Sequence, residues 1–367
     1  MYNMSLLDIL GFNPLEGDTE RTEICDAATD ISAIYLWVLF AIGVPGNILT
    51  IITTLSMQTL SPATFFVALL AFFDGSALVV KLTYQQLMKY HHPLGDIGCK
   101  MDFLAPYLAT VANWMLVLIC AERFISVCYP LKKISVITKR RSYMSAAVVA
   151  GVFLVLFGIM SVIMRGDGHG ECGTLNAYVD FWKIYWYWIN FALFLIIPFL
   201  IILIFTCGII RGLYLSRRDR RILLQKGSGR ETGNESAAGN HSRLVAETER
   251  VELAITIMMI LAATLFLTFS LPACVYTVIS DPSSEGKCNT KSQAYWTLFQ
   301  QIKFLLVDAT HALNFFMYFF AARRFRSQLF KVLRCKTCKK VKYQHTISSQ
   351  LSSSTKANSN VCLQNIK

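Results

Sequence analysis

Seven long apolar segments constrain the fold of this 367-residue chain more than any other feature of its sequence. The hydrocarbon core of a bilayer is about 30 Å thick, and an α-helix crosses it in about 20 apolar residues. The segments that meet this requirement are 34–56, 64–88, 99–127, 143–164, 184–210, 251–279 and 295–320. We therefore predict an all-α membrane protein built as a seven-transmembrane helix bundle.

The composition agrees with this prediction. Hydrophobic residues make up 54% of the chain and charged residues only 16%, whereas average soluble domains are about 25% charged. The net charge of +12 does not indicate a nucleic-acid partner, because the basic residues flank the apolar spans.

The distribution of Lys and Arg predicts the orientation. The first thirty-three residues carry seven acids and one base, whereas the third-to-fourth connection, the fifth-to-sixth connection and the tail are basic. Cytoplasmic loops carry such an excess, so we expect a plasma-membrane protein with its N-terminus outside and its C-terminus inside. The predicted regions are an extracellular N-terminus 1–33, a bundle 34–320 with a cytoplasmic loop 212–248, an amphipathic eighth helix 321–335 and a disordered tail 336–367.

Glu122, Arg123 and Phe124 stand where the third apolar span ends. An acid beside a base at such a depth is costly to solvate and is usually paired and functional. The alternative is an interfacial pair whose side chains reach back to water.

Motifs on several spans resemble those of rhodopsin-like (class A) G protein-coupled receptors. They are Gly46-Asn47, Leu70-Ala71-Phe72-Phe73-Asp74, Glu122-Arg123-Phe124 with Pro130-Leu131, Pro198, Pro272, and Asn314-Phe315-Phe316-Met317-Tyr318. The run from Thr310 to Phe316 resembles invertebrate neuropeptide (FMRFamide-like) receptors. The sequence departs from the family in span six, where Ser270 replaces the usual Trp, and in span seven, where Phe315 replaces the usual Pro.

The resemblance implies a switch at the inner end of the bundle. Arg123 is expected to pair with Glu252 of span six, and loss of that pair would let span six move outward for a heterotrimeric G protein. Phe124, Asn314 and Tyr318 belong to the same coupling region. A packing network without a switching role is the alternative.

A polar core is implied around Asp74, because an unpaired carboxylate at mid-membrane depth costs several kcal/mol. Asn47 and Asn314 are expected to donate hydrogen bonds to it. Family receptors often hold sodium at such a site, so the resemblance implies one cofactor, an allosteric sodium ion near Asp74.

The cysteines carry further expectations. By resemblance, Cys99 pairs with Cys172, which leaves Cys25 and Cys288 for a second bridge on the same face. Cys335 and Cys338 are candidates for palmitoylation, with a zinc site as the alternative. Asn3 begins a glycosylation sequon.

Charged and aromatic residues near the outer end of the bundle are candidate ligand contacts. Lys81 lies two helical turns beyond Asp74, so we predict an intramembrane ion pair with Asp308, structural or ligand-binding in role. Asp102 and Trp186 are further pocket candidates, although the aromatic residues around Trp186 also fit an interfacial belt. The acidic N-terminus favours a cationic ligand, such as an amidated peptide ending in Arg-Phe.

The predicted function is a neuropeptide receptor that is not an enzyme. Its expected partners are an extracellular peptide, a G protein, membrane lipid, arrestin and receptor kinases. The alternatives are a heptahelical transporter, for which no internal repeat is visible, and a class A receptor for a non-peptide ligand. An opsin is disfavoured because no Lys stands at the retinal position of span seven.

Overall fold

The computed structural model describes residues 14–57, 61–90, 95–166, 172–227, 235–279 and 288–334. Seven of its helices are long and apolar enough to cross a membrane, which confirms the predicted bundle. Spans one to seven contain the helices Pro14–Leu55, Pro62–Lys89, Leu104–Cys128, Lys139–Val162, Ile197–Gly227, Glu235–Ile279 and Lys291–Ala321. The end of the bundle that carries residues 14–33 is its N-terminal end. The opposite end, which carries Arg123, is its C-terminal end.

Span three forms the centre of the bundle. Its side chains Val111, Met115 and Ile119 are fully buried, and its helix packs against spans two and five. Span four is peripheral, because most of its apolar side chains face outward. Such a helix is suited to lipid contact on one side and protein contact on the other.

Span one approaches spans two and seven closely at a glycine. A Cβ atom placed on Gly43 would lie 2.7 Å from Leu78 Cδ1 and 2.9 Å from the Cα atom of Ala312. Real Cβ atoms do not come this close to backbone, so only glycine allows the observed separation. This contact fixes how tightly span one closes against span seven.

The predicted span 99–127 is two helices rather than one. A short helix Gly95–Met101 ends in a turn, and the main helix begins at Leu104. Pro106 explains the break, because it has no N–H to bond the carbonyl of Asp102 and its ring crowds the preceding turn. Within the first turn of the new helix the same proline is tolerated.

Span five begins with two π-helical turns, Phe181–Trp186 and Ala192–Ile196. Side chains of span three bond to the second of them: Asn113 Nδ2 donates to the Phe194 carbonyl and Trp114 Nε1 donates to the Leu193 carbonyl, each at 2.9 Å. The wider i→i+5 spacing leaves carbonyls that such donors can reach. These bonds lock span five to span three.

A short antiparallel hairpin precedes span five and was not predicted from the sequence. Met164–Gly166 pairs with Cys172–Thr174, and the helix Gly95–Met101 packs against it. Cys99 on that helix is disulfide-bonded. The side chain of Cys172 lies outside the described residues, so the pairing of Cys99 with Cys172 stays a prediction.

Two predicted boundaries differ from the structure. The expected loop 212–248 is helical up to Gly227 and again from Glu235, because Leu, Arg, Ala and Glu give both segments high helix propensity. Residues 14–33 extend the helix of span one, which starts with Pro14, a favoured first helical residue. Residues 323–334 are also helical, where the eighth helix was predicted; Cys335, Cys338 and Asn3 lie outside the described residues.

A disulfide between Cys25 and Cys288 ties span one to the start of span seven. Polar contacts surround it: Lys291 Nζ lies 2.6 Å from Glu20 Oε2, and Tyr295 donates to Glu20 Oε1 at 2.9 Å. The bridge spans 263 residues. It closes the N-terminal end of the bundle by joining the helix of span one to the residues just before the helix of span seven.

Replacing Cys288 with Ala is expected to lower the free energy of unfolding by about 2–4 kcal/mol, because the cross-link no longer restricts the unfolded chain. Thermal unfolding of the purified protein measures the effect. Cys207→Ala is the matched control, since this cysteine is free and exposed and its replacement should leave the melting temperature unchanged. Equal melting temperatures for both variants would show that the bridge adds no stability.

Candidate functional site

Asp74 of span two is fully buried at the centre of a polar cluster. Its Oδ1 lies 2.7 Å from His311 Nδ1, and its Oδ2 accepts a hydrogen bond from Asn314 Nδ2 at 2.7 Å. Both partners lie on span seven, three residues apart and therefore on one helix face. The sequence predicted Asn314 here but not His311, although the spacing of three residues between them was a usable signal.

Asn47 does not donate to Asp74, contrary to the sequence-based expectation. Its Nδ2 donates instead to the backbone carbonyl of His311 at 3.0 Å. The reason is the close packing of spans one and seven, which brings that carbonyl within reach while His311 and Asn314 already occupy both oxygens of Asp74. Asn47 thus joins span one to span seven through the backbone.

A small cavity adjoins Asp74. Its wall consists of Leu70, Asp74, Ala112, Asn113, Leu116, Leu265, Phe266, Thr310, His311 and Asn314. A hard cation such as sodium takes oxygen ligands, yet both oxygens of Asp74 face nitrogen atoms of His311 and Asn314. The residues present therefore do not fit a sodium ion bound by Asp74.

Arg123 and Glu122 form a buried ion pair at the C-terminal end of span three. Arg123 Nε lies 2.5 Å from Glu122 Oε2, Arg123 Nη2 lies 3.0 Å from Oε1, and both residues are under 7% exposed. Ser126 donates a further hydrogen bond to Glu122 Oε1 at 3.2 Å. The pair is buried within the protein rather than exposed to water, and its two-pronged contact fixes the guanidinium orientation.

The side chain of Glu252 lies outside the described residues, although its backbone belongs to the helix of span six. The predicted contact between Glu252 and Arg123 stays a prediction.

Phe124, the third residue of the motif, packs between spans three and five. Its ring lies 5.3 Å from the Phe205 ring, and a Cβ atom on Gly208 would come within 2.5 Å of it. Tyr318 of span seven is fully buried, and its ring lies 6.1 Å from that of Phe325 in the helix 323–334. Aromatic packing thus joins span three to span five, and span seven to the helix 323–334.

A second polar cluster lies nearer the N-terminal end. Lys81 Nζ lies 2.6 Å from Asp308 Oδ2, and the same oxygen accepts a hydrogen bond from the Tyr35 hydroxyl at 3.1 Å. Asp308 is 6% exposed, whereas the Lys81 side chain is 36% exposed. The cluster joins spans one, two and seven, and Tyr35 was not foreseen from the sequence.

The other two pocket candidates lie elsewhere. Asp102 occupies the turn before Leu104, and among the described residues it has no hydrogen bond to the Lys81–Asp308 cluster. Trp186 is buried, stacks on Trp182 and meets the edge of Phe157. Trp186 therefore packs between spans four and five within the apolar core.

Comparison with known proteins agrees with this architecture. Residues 46–318 match the family model described as 7 transmembrane receptor (rhodopsin family). Green-sensitive opsin-1 of Danio rerio is 35% identical over 27% of this chain and 30% of its own length. Neuropeptide S receptor of Rattus norvegicus is 22% identical over 62% of each chain. The chain spans less than two thirds of the length of these curated relatives.

Proposed function

Because the chain belongs to the rhodopsin family of seven-transmembrane receptors, we propose that it is a peptide-gated receptor of the plasma membrane that couples to a heterotrimeric G protein. The observation that carries this proposal is the buried ion pair between Glu122 and Arg123. A buried cation at the end of a span has to be paired to be stable. Release of Arg123 from Glu122 at one end of the bundle, when a ligand binds at the other end, would transmit a signal across the membrane.

Span six is the element we expect to move. Pro272 lies within its helix, where it removes a backbone hydrogen bond and permits a bend. Phe266, one turn and a half earlier, is buried in the core that span three organises. Ser270 is fully buried where family members carry Trp, so we propose that Phe266 supplies the bulky contact that shifts when span six swings outward.

We place the ligand at the N-terminal end, which we propose to be extracellular. Acidic side chains of the described helix face solvent there: Asp18, Glu23, Asp26 and Asp30 are exposed. Such a field attracts a cationic peptide and speeds its association. The match to neuropeptide S receptor supports a peptide over a retinal-type ligand.

The test is a signalling assay on cells that express the wild type or Arg123→Ala at equal surface levels. The cells are treated with amidated cationic peptides, or with the same peptides in which acidic residues replace the basic ones. Nucleotide exchange is then measured on several classes of G protein. We expect a concentration-dependent response of the wild type to a cationic peptide and none from Arg123→Ala. A response restricted to acidic peptides would contradict the ligand class, and full signalling by Arg123→Ala would contradict the switch.

The remaining expected features extend this proposal. Palmitoylation of Cys335 and Cys338 would anchor the end of the helix 323–334 to lipid. Glycosylation of Asn3 would follow from an extracellular N-terminus. Arrestin and receptor kinases would bind the same end of the bundle as the G protein.

A further inference from the structure

His311 lines the cavity beside Asp74, and its position affects whether an ion can bind there. His311 is 3% exposed, and its ring lies on span seven directly against the carboxylate of Asp74. Asn314 occupies the other carboxylate oxygen. Each carboxylate oxygen of Asp74 thus already has a nitrogen atom of this chain at 2.7 Å.

His311 donates to Asp74 in both forms of the imidazole that carry a proton on Nδ1. A neutral ring with its proton on Nδ1 donates to Asp74, and so does the protonated ring. A sodium ion at the same carboxylate would have to compete with the His311 and Asn314 nitrogens, which already lie against both of its oxygens. Each is a short bond to a buried charged group, which makes it costly to break.

The rest of the cavity wall offers little in return. Leu70, Ala112, Leu116, Leu265 and Phe266 are apolar. The Asn113 amide is turned toward the Phe194 carbonyl, and the Thr310 hydroxyl donates to the Val307 carbonyl at 2.6 Å. Besides Asp74, the wall offers a cation only the side-chain oxygens of Asn113, Thr310 and Asn314, a small set for a hard ion.

Two polar atoms of the cluster, His311 Nε2 and Asn47 Oδ1, are left without a hydrogen-bond partner among the described residues. His311 Nε2 is buried and makes no hydrogen bond there, and the His311 ring itself lines the cavity. A buried nitrogen next to such a space is a site for a bound water. Water suits this nitrogen in either protonation state, because water both donates and accepts.

We infer that His311 takes the place of a sodium ion at Asp74, so that the resting receptor is stabilised by its own side chain and is insensitive to sodium. The inference rests on the geometry around Asp74 and not on the identity of the ligand or the G protein. It assigns His311 a role in ion specificity: this residue decides what the carboxylate can bind.

Thermal unfolding of the full-length purified protein tests this, in sodium chloride against choline chloride at equal ionic strength. The wild type is expected to unfold at the same temperature in both salts. His311→Ser removes the ring and supplies a hydroxyl oxygen, so we expect sodium to raise its melting temperature by about 2–4 °C. The double variant His311→Ser/Asp74→Asn should lose that gain.

His311→Gln is the matched control, because its amide keeps an N–H donor for Asp74 and should keep the protein insensitive to sodium. Stabilisation of the wild type by sodium would overturn the inference, and this measurement does not require any variant to fold. A His311→Ser variant that folds but gains no sodium response would also overturn it, because the histidine would then not be what excludes the ion.

Discussion

Replacing Asp308 with alanine is expected to destabilise the folded receptor by about 3 kcal/mol and to reduce its level at the cell surface severalfold. Lys81 would lose its anion at 2.6 Å and Tyr35 its acceptor at 3.1 Å. Removing one partner of a buried pair costs about 3–5 kcal/mol, and the partial exposure of Lys81 places the effect at the low end. Surface labelling and thermal unfolding measure the change.

Two double variants distinguish the contribution of the ion pair from the contributions of Lys81 and Asp308 taken singly. Lys81→Ala/Asp308→Ala removes both charges and should be less damaging than Asp308→Ala alone, because no unpaired charge stays in the bundle. The exchange Lys81→Asp/Asp308→Lys should restore much of the surface level. If the double alanine variant is as poor as the single one and the exchange restores nothing, the ion pair does not hold spans two and seven together.

Gly43→Val is expected to prevent normal closure of the bundle, at a cost of about 3 kcal/mol or more. A Cβ atom at this position would lie 2.8 Å from the Ala312 Cβ atom and 2.9 Å from its Cα atom. Overpacking usually costs about 1–3 kcal/mol, and here the clash is with backbone, which cannot rotate away. The shift would also separate Asn47 from the His311 carbonyl one helical turn further along span one.

Gly151→Val is the matched control for Gly43→Val. Gly151 lies within the helix of span four, and nothing approaches its Cβ position within 4 Å. We expect it to reach the surface at the wild-type level and to unfold at the wild-type temperature. An equal loss of surface level and unfolding temperature in both variants would mean that glycine is needed for membrane insertion or helix bending and not for the contact with span seven.

Much of the fold follows from the sequence because its determinants are local. Twenty-residue apolar runs predict spans, and helical spacing predicts that Lys81 and Asp308 face each other from spans two and seven. Their charged atoms lie 2.6 Å apart. Glu122 and Arg123 are adjacent in the chain, but neighbouring residues of a helix do not face each other, and the sequence predicted Glu252 as the partner of Arg123. Their two-pronged contact is therefore a finding of the structure.

What could not be predicted depends on distances between helices. Asn47 reaches the His311 carbonyl at 3.0 Å because Gly43 lets span one approach span seven. Spacing alone cannot tell whether an amide meets a carboxylate or a carbonyl. The second π-helical turn of span five, Ala192–Ile196, has no sequence signature, since it is held by side chains of span three such as Trp114.

Ligand-independent nucleotide exchange is the most direct test of the claim that Arg123 is a switch held at rest by Glu122. Wild-type receptor, Glu122→Gln and Arg123→Ala are purified, placed in lipid bilayers at equal amounts and mixed with a heterotrimeric G protein and labelled GTP. Glutamine keeps the size of the side chain but not its charge, so its weaker hold on Arg123 should raise basal exchange about 3–10-fold. Arg123→Ala should show none, and basal exchange equal to wild type in both variants would contradict the account.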